Sequence, residues 1–462
     1  MKINKGLQTE VEIQDIAFGG RGLARLDGMA VFVDQAVPGD RVIIRIFKKK
    51  KNYAEARVVE LIESSPFRIT APCEYSGFCG GCKWQFLNYD QQLIYKRKHV
   101  LDSLEHIGLI KNIDVHQTIP SENTFDYRNK MEFSCADRRW LLPAELNGPE
   151  IDKDFALGLH VPGTYHKVID TRACLLQPDL GNELLDSVRD FIRKSDAPVY
   201  GLRSQTGYWR FVVLRHSVAH DQWMVNMVTT QEDHETLRPL AEGLVEKYPQ
   251  VVSVMNNVTS RKAGVAIGEI EHTLAGSDTI SDKIGEFEFN ISANSFFQTN
   301  SRGAEVLFNT VKKYAGLAGT ETVLDLYSGT GTIPIILSRF CKSVIGIEII
   351  ESAVADAEKN CRNNGVSNCR FIKGDIRQCL PQIAQKPDLL IIDPPRAGMH
   401  KDVVKQVLES GVDRIVYVSC NPATMARDIG MMQDLYRLVE VQPVDMFPHT
   451  YHIEAVSKLV KL

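Results

Sequence analysis

The stretch "TVLDLYSGTGTIPIILSRF", Thr322 to Phe340, decides the fold. An apolar run of the buried-strand type ends in a glycine-rich turn, and a helical pattern follows. The alternation then repeats through "SVIGIEIIESAVADAEKNCRNNG", "CRFIKGD", "PDLLIIDPPR" and "RIVYVSC". Strands alternating with helices predict a doubly wound, Rossmann-like α/β sheet from about residue 318. Such sheets bind ligands beyond the carboxyl ends of their strands.

The chemistry-bearing residues fall at those ends. The turn that holds Gly329 lets the backbone bend tightly and approach a ligand. Glu348, near the end of the second strand, is placed to accept both hydroxyls of a ribose, and Asp375 follows the third strand within reach of an adenine amine. No Gly-Lys-Ser/Thr phosphate loop accompanies the turn. A nucleoside-type cofactor without a pyrophosphate fits, and S-adenosylmethionine is such a cofactor. In Asp393-Pro394-Pro395-Arg396 the prolines cannot extend a ladder, so the chain leaves the sheet and holds Asp393 at the cofactor edge.

"VYVSCNPATMARD" places Cys420 at the end of the next strand, and "MFPHTYHIEAVSKLVKL" places Glu454 in a late strand that returns to the same sheet. Read singly, Cys420 is a packing cysteine and Glu454 a surface acid. Read together with a methyl donor, they suggest one reaction. Carbon-5 of a pyrimidine becomes nucleophilic once a thiolate adds at carbon-6, and a base must then remove the carbon-5 proton before the thiolate leaves. Cys420 suits the nucleophile and Glu454 the base.

A second cluster lies upstream. "APCEYSGFCGGCKWQF" supplies Cys73, Cys79 and Cys82, and "VIDTRACLLQP" supplies Cys174. Four thiolates suit zinc or an iron–sulfur cluster, and spacing does not separate the two. The other five cysteines have no partner motif and read as structural.

The 462 residues, 44% hydrophobic and 24% charged, suit a globular protein of several domains. No apolar run reaches membrane-span length and the start of the sequence has no signal-peptide pattern, so a cytoplasmic location is expected. A net charge of -4 means that any basic surface is local. Residues 1–62 read as short strands between Gly-Gly, Asp-Gly and Pro-Gly-Asp turns, a small antiparallel barrel of the OB type. Its lysine run, Lys48 to Lys51, reads as a solvated loop or as a phosphate-contacting patch. Residues 63–290 read as a central α+β region, and residues 291–462 as the catalytic unit. In the central region "DQQLIYKRKHVLDSLEHIGLI" has helical spacing, with Leu93, Val100, Leu101 and Leu104 on one side, and is expected to pack on the catalytic unit. Beyond it come antiparallel strands with one helical segment, "LGNELLDSVRDFIRK".

Together "DPPRAG", "SCNPATMARD" and "FPHTYHIEAV" resemble the RNA uracil-C5-methyltransferase family, and the N-terminal "VEIQDIAFGGRGLARLDGMAVFVDQAVPGDRV" is similar to its TRAM domain. The resemblance implies methyl transfer from S-adenosylmethionine to carbon-5 of a uridine through a covalent adduct. It implies 23S rRNA as substrate, with tRNA the alternative, and it implies neither a membrane nor an obligate protein partner. A non-catalytic iron–sulfur RNA-binding factor is the reading from another class, and the pair Cys420 and Glu454 argues against it. The resemblance also implies a 4Fe-4S cluster on Cys73, Cys79, Cys82 and Cys174. Cofactor contacts carry over to Gln298, Tyr327, Glu348 and Asp393, with Thr332 and Asp375 less directly matched, and Phe296 falls where the family has an aromatic beside the flipped base. Arg128, Lys130, Arg210 and Arg215 are then candidate phosphate contacts, with plain surface charge or core-adjacent pairing as the other reading.

Overall fold

Every residue of Thr322–Leu326 is buried, as a strand covered on both faces requires. This strand, β1, is followed by β2 (Ser343–Glu348), β3 (Cys369–Lys373), β4 (Leu389–Ile392), β5 (Arg414–Ser419), β6 (Tyr436–Val444) and β7 (Glu454–Lys461). The computed structural model describes residues 3–147, 153–262 and 264–462. The sheet order is β3-β2-β1-β4-β5-β7-β6, with the short strand Asp114–Val115 on the outer edge beside β6. β1 to β5 are parallel, and β7 inserts antiparallel between β5 and β6. Alternate side chains feed two cores. Val323, Ile391 and Val416 face one, and Leu324, Leu390 and Ile415 face the other.

The antiparallel insertion matters for the site. Because β7 runs backwards, its first residue, Glu454, lies at the same sheet edge as the carboxyl ends of β4 and β5. Ser419 pairs with Ala455, so Cys420 leaves β5 level with Glu454.

The N-terminal piece is a six-stranded sheet around a separate core of Val11, Ala24, Val31, Val42, Ile44 and Ala54. It is mostly antiparallel, but Met29–Asp34 pairs parallel with Tyr53–Glu63. The central region carries a seven-stranded sheet. Its strands Gln222–Thr229 and Val251–Val258 are parallel, which corrects the all-antiparallel expectation. A second helix, His234–Lys247, makes the crossover. Pro239 inside that helix hid it from a sequence reading. The hairpin Thr279–Ile284 and Phe287–Ser292 straddles the boundary expected at residue 291. Its Ile280, Phe287, Phe289 and Ile291 pack in the catalytic core, so by packing it goes with the catalytic unit.

The helix Tyr89–His106 joins the parts. Its Val100 and Leu104 pack with Leu390, Ile415 and Met425 under the catalytic sheet. The buried face differs from the apolar stripe read in the sequence, because Gln92, Lys96, His99 and Ser103 are buried while Leu93 and Leu101 are only partly so. The reason is polar. Lys96 Nζ donates to Asp445 Oδ1 at 2.5 Å and to the Phe447 carbonyl at 3.0 Å. Tyr89 OH donates to Asp445 Oδ2 at 2.9 Å. The Gln92 amide accepts from the His449 N–H and donates to the Trp84 and Leu87 carbonyls. His99 Nε2 meets the Ile16 carbonyl at 2.9 Å, and Trp84 Nε1 donates to the Gly20 carbonyl, which docks the N-terminal sheet on the same helix. At Gly20, φ is +87°, and a Cβ would press on Tyr451 at 3.3 Å, so only glycine suits this approach.

Lys96 and Asp445 are both fully buried, so each compensates a charge the other could not hold alone. Asp445→Ala is expected to cost about 3–5 kcal/mol by leaving an uncompensated ammonium. The paired change Lys96→Met with Asp445→Leu should cost less. Urea unfolding midpoints check both.

Candidate active site

Four strand ends converge on the glycine-rich turn after β1. Tyr327 there has φ of 103°, a strained value for an aromatic residue, and its N–H and that of Ser328 both reach the Ile347 carbonyl at 3.1 Å. Gly331 caps the following helix in the left-handed region, and a Cβ there would come within 2.9 Å of Ala357 and Phe371. The turn is thus pressed against β2 and the helix Glu351–Asn363. Thr332 opens the helix Thr332–Ser338.

Glu348 is fixed by this turn. Its carboxylate accepts from the Gly329 N–H at 3.0 Å and the Ile350 N–H at 2.8 Å, which leaves lone pairs for a ligand. Beside it is a cavity of about 240 Å³ lined by Tyr327, Glu348, Ile349, Asp375, His400 and neighbouring residues. Asp375 caps a short helix, and Arg377 holds its carboxyl down to about 2, so it stays ionised. The wall therefore offers two carboxylates and apolar side chains, as a ribose and a purine require. Of the expected contacts, Gln298, Gly329, Thr332 and Asp393 do not line this cavity. The Gln298 backbone carbonyl accepts from Asn129 Nδ2.

Asp325, not among the expected contacts, is buried, and neither of its carboxylate oxygens has a hydrogen-bond partner. Burial, and then the charges of Asp393 and Glu348, push its carboxyl well up. Burial likewise raises Asp393 to about 6. Orphaned buried carboxyl oxygens are costly, and three acids around one turn form a cradle for a cationic ligand such as a sulfonium. The signal was in the first quoted stretch, where an acid interrupts an apolar strand.

Cys420 lies between β5 and a capped helix. Asn421 accepts from the Ala423 N–H, with Pro422 at the first helical position. Asn421 Nδ2 and Thr424 Oγ1 donate to the Arg396 carbonyl, so the Asp393–Arg396 turn is clamped to the cysteine turn. The Arg396 guanidinium favours the Cys420 thiolate and touches His452 Nδ1 at 3.4 Å. Burial, and then Glu454, push the thiol up to about 11, against the pull of Arg396. Glu454, 8% exposed, is raised well above the usual range by burial and then by Asp393, and Arg396 opposes that rise. Arg396 is therefore the cation shared by the two candidate catalytic groups, a role its place in "DPPR" did not reveal.

Phe296 is 68% exposed on a loop pinned at both sides. Arg215 donates to the Ala293 and Ser295 carbonyls, and Asn129 to the Gln298 carbonyl and Ser301. Arg215 is 3% exposed and so acts in the fold, which corrects its reading as a phosphate contact. Arg210, also 3% exposed, donates to the Arg261 carbonyl and stacks on Tyr200, and the same correction applies. Lys130 pairs with Glu132 at 2.5 Å. A further cavity, about 350 Å³, is lined by Cys73, Cys79, Cys82 and Cys174 together with Arg128 and Thr450. The Lys83 and Trp84 N–H groups, next in sequence to Cys82, donate to the His449 carbonyl.

A doubly wound sheet with a nucleoside-type cavity and a strand-end cysteine defines a methyltransferase. Comparison with known proteins narrows the class. The tRNA (Uracil-5-)-methyltransferase family profile matches residues 213–378 and 383–461, and the TRAM domain profile matches residues 4–59. A Chlorobaculum tepidum protein named as an RNA methyltransferase is 43% identical, over 99% of this chain and 97% of its own. One from Bacteroides thetaiotaomicron is 39% identical over 96% and 99%. The crystal structure of Pyrococcus abyssi tRNA (uracil-54, C5)-methyltransferase with S-adenosyl-L-homocysteine matches with a TM-score of 0.77 and 30% identity, covering 98% of this chain and 100% of that one. The chain belongs to the RNA uracil-5-methyltransferase family and is an S-adenosylmethionine-dependent enzyme. Among the described residues, no helix is long and apolar enough to cross a membrane.

With its thiol pushed up to about 11, Cys420 should be alkylated faster as pH rises, about tenfold per pH unit below that value. Arg396→Ala removes the thiolate's cation, so the profile should move to higher pH and the rate near neutrality should fall. Iodoacetamide labelling of the Cys420 peptide, followed by mass spectrometry, measures both.

Proposed function

We propose that the protein methylates carbon-5 of a uridine in 23S rRNA through a covalent adduct between Cys420 and carbon-6 of the base. The observation that carries the covalent step is Cys420 at the end of β5, level with Glu454 and sharing Arg396 with it. The Cys420 thiolate adds at carbon-6, carbon-5 takes the methyl group, and Glu454 removes the carbon-5 proton so that the thiolate can leave. Glu454 carries the charge of a strong base once ionised, because its site disfavours the charged form. Asp325, Glu348 and Asp393 surround the cationic methyl donor, with Asp375, Tyr327 and the turn at Gly329 completing its site. Phe296 stacks on the flipped base.

The four cysteines fit a 4Fe-4S cluster. All four thiols line one cavity. Zinc and an iron–sulfur cluster both accept four thiolates, and the choice of a cluster rests on the family resemblance. Cys73, Cys79, Cys82 and Cys174 would hold the group, which supplies rigidity to the loop behind His449. The N-terminal sheet followed by this cysteine set resembles the rRNA members and supports 23S rRNA. The likeness to the Pyrococcus enzyme supports the second reading, a tRNA uridine.

A strain lacking the protein should lose 5-methyluridine from 23S rRNA. The wild-type gene should restore it and Cys420→Ala should not. In vitro, Glu454→Ala should accumulate a denaturant-stable protein–RNA species. Loss of the modification from tRNA alone would select the second reading, and full activity of Cys420→Ala would sink the mechanism. Protein purified without oxygen should be brown, with the visible band lost in Cys79→Ala or Cys174→Ala, and a colourless zinc protein would overturn the cluster.

A further inference from the structure

Outside both the catalytic site and the cysteine cavity, two imidazoles and a carboxylate converge on the central unit. Glu232 and His234 flank Asp233, which begins the helix His234–Lys247, and His272 lies on the sheet's edge strand Ile270–Gly276. Among the described residues, these three are the set of potential ligands whose donor atoms all fall within 4.8 Å of one another. Glu232 Oε1 sits 2.7 Å from His234 Nε2 and 3.6 Å from His272 Nε2. Metal–nitrogen and metal–oxygen bonds of about 2.0–2.1 Å around a tetrahedral ion put neighbouring donors about 3.3 Å apart. The two separations bracket that value, so small side-chain rotations complete three corners.

Independent features hold the donors in place. Asp233 accepts from the Thr236 N–H at 3.0 Å and its hydroxyl at 2.6 Å, and the Gln231 carbonyl accepts from Thr229 Oγ1 at 2.9 Å, which fixes the backbone on both sides of Glu232. His272 pairs with Asn256 in the sheet. Its Nε2 is screened from solvent and makes no hydrogen bond. The Glu232 carboxylate 3.6 Å away is too far to hydrogen-bond that nitrogen, whereas an ion between the three groups would use it.

We infer that Glu232, His234 and His272 bind a divalent first-row transition ion of the zinc type. Two imidazole ligands disfavour the oxygen-seeking calcium and magnesium ions as occupants. Glu232 is half exposed, so the fourth position opens to water. A cation here faces the positive end of a helix dipole, and Asp233 and Glu235 in the first turn offset that repulsion. The balance makes the ion exchangeable rather than permanent. Once bound, it ties the crossover helix to an otherwise unpaired sheet edge.

Calorimetric titration of the full chain with zinc chloride near neutral pH tests the assignment, with His272→Ala, His234→Ala and Glu232→Gln compared against wild type. The cysteine site is intact in all four proteins, so its contribution cancels. Wild type should take up one ion that each variant binds at least roughly 10–100-fold more weakly. Cobalt at this site should add visible absorption without the sulfur-to-cobalt band that thiolates give. Circular dichroism of the metal-free variants should match wild type. Equal zinc stoichiometry and affinity in wild type and His272→Ala, with folding intact, would overturn the site.

Discussion

The buried contact between Lys96 and Asp445 is the constraint on which the rest of the molecule depends. It joins residues 349 positions apart in the chain and closes a polar seam inside what is otherwise an apolar core. Around it, one helix carries Tyr89, Gln92, Lys96 and His99: Tyr89 and Lys96 share Asp445, Gln92 reaches His449 and the Trp84 carbonyl, and His99 reaches the Ile16 carbonyl. Asp445, His449, Trp84 and the backbone at Ile16 are all set by that single face. Such a seam contributes specificity more than stability, because an all-apolar interface of the same shape would have several packings and this one has a single satisfied arrangement.

The active site follows from charge placed without its counter-charge. Asp325, Asp393 and Glu454 are held where water cannot stabilise them, and one guanidinium, that of Arg396, faces the last of these and Cys420. The cost is met by the fold elsewhere, through the capped turn at Asn421 and the clamp onto the Arg396 carbonyl. A positively charged donor entering this region relieves the carboxylates it meets. Ligand binding and the ionisation of Cys420 and Glu454 are therefore electrostatically linked, since each acid that finds a cation ceases to disfavour ionisation of its neighbours.

Much of this was legible in sequence because the strand-end rule converts linear order into spatial order. Glu348, Asp393 and Cys420 could be placed at one edge once the alternation after Thr322 was recognised. Glu454 needed the extra knowledge that a strand can return antiparallel, which its own pattern does not state. The long helix was read correctly as a helix and wrongly as to its face. Periodicity counts apolar residues, and here lysine, glutamine and histidine are buried by partners distant in the chain, 349 residues away for Lys96 and 83 for His99. For Arg210 and Arg215 the sequence left phosphate contact and core pairing both open, as charge in a sequence does not say whether carbonyls await it inside. Pro239 concealed a helix, and with it the parallel pairing of the central sheet.

The polar seam also orders events during synthesis. Tyr89–His106 leaves the ribosome long before Asp445 and His449 exist, so its buried Lys96 and Gln92 must wait for partners made near the end, whereas the Ile16 carbonyl that His99 meets is made first. The N-terminal sheet has its own core and can form early. The seventh strand, which brings Glu454 to Cys420, is the last of the sheet to be made. A nascent chain can thus acquire surfaces for RNA well before it acquires chemistry, and the late closure of one ion pair separates the two stages.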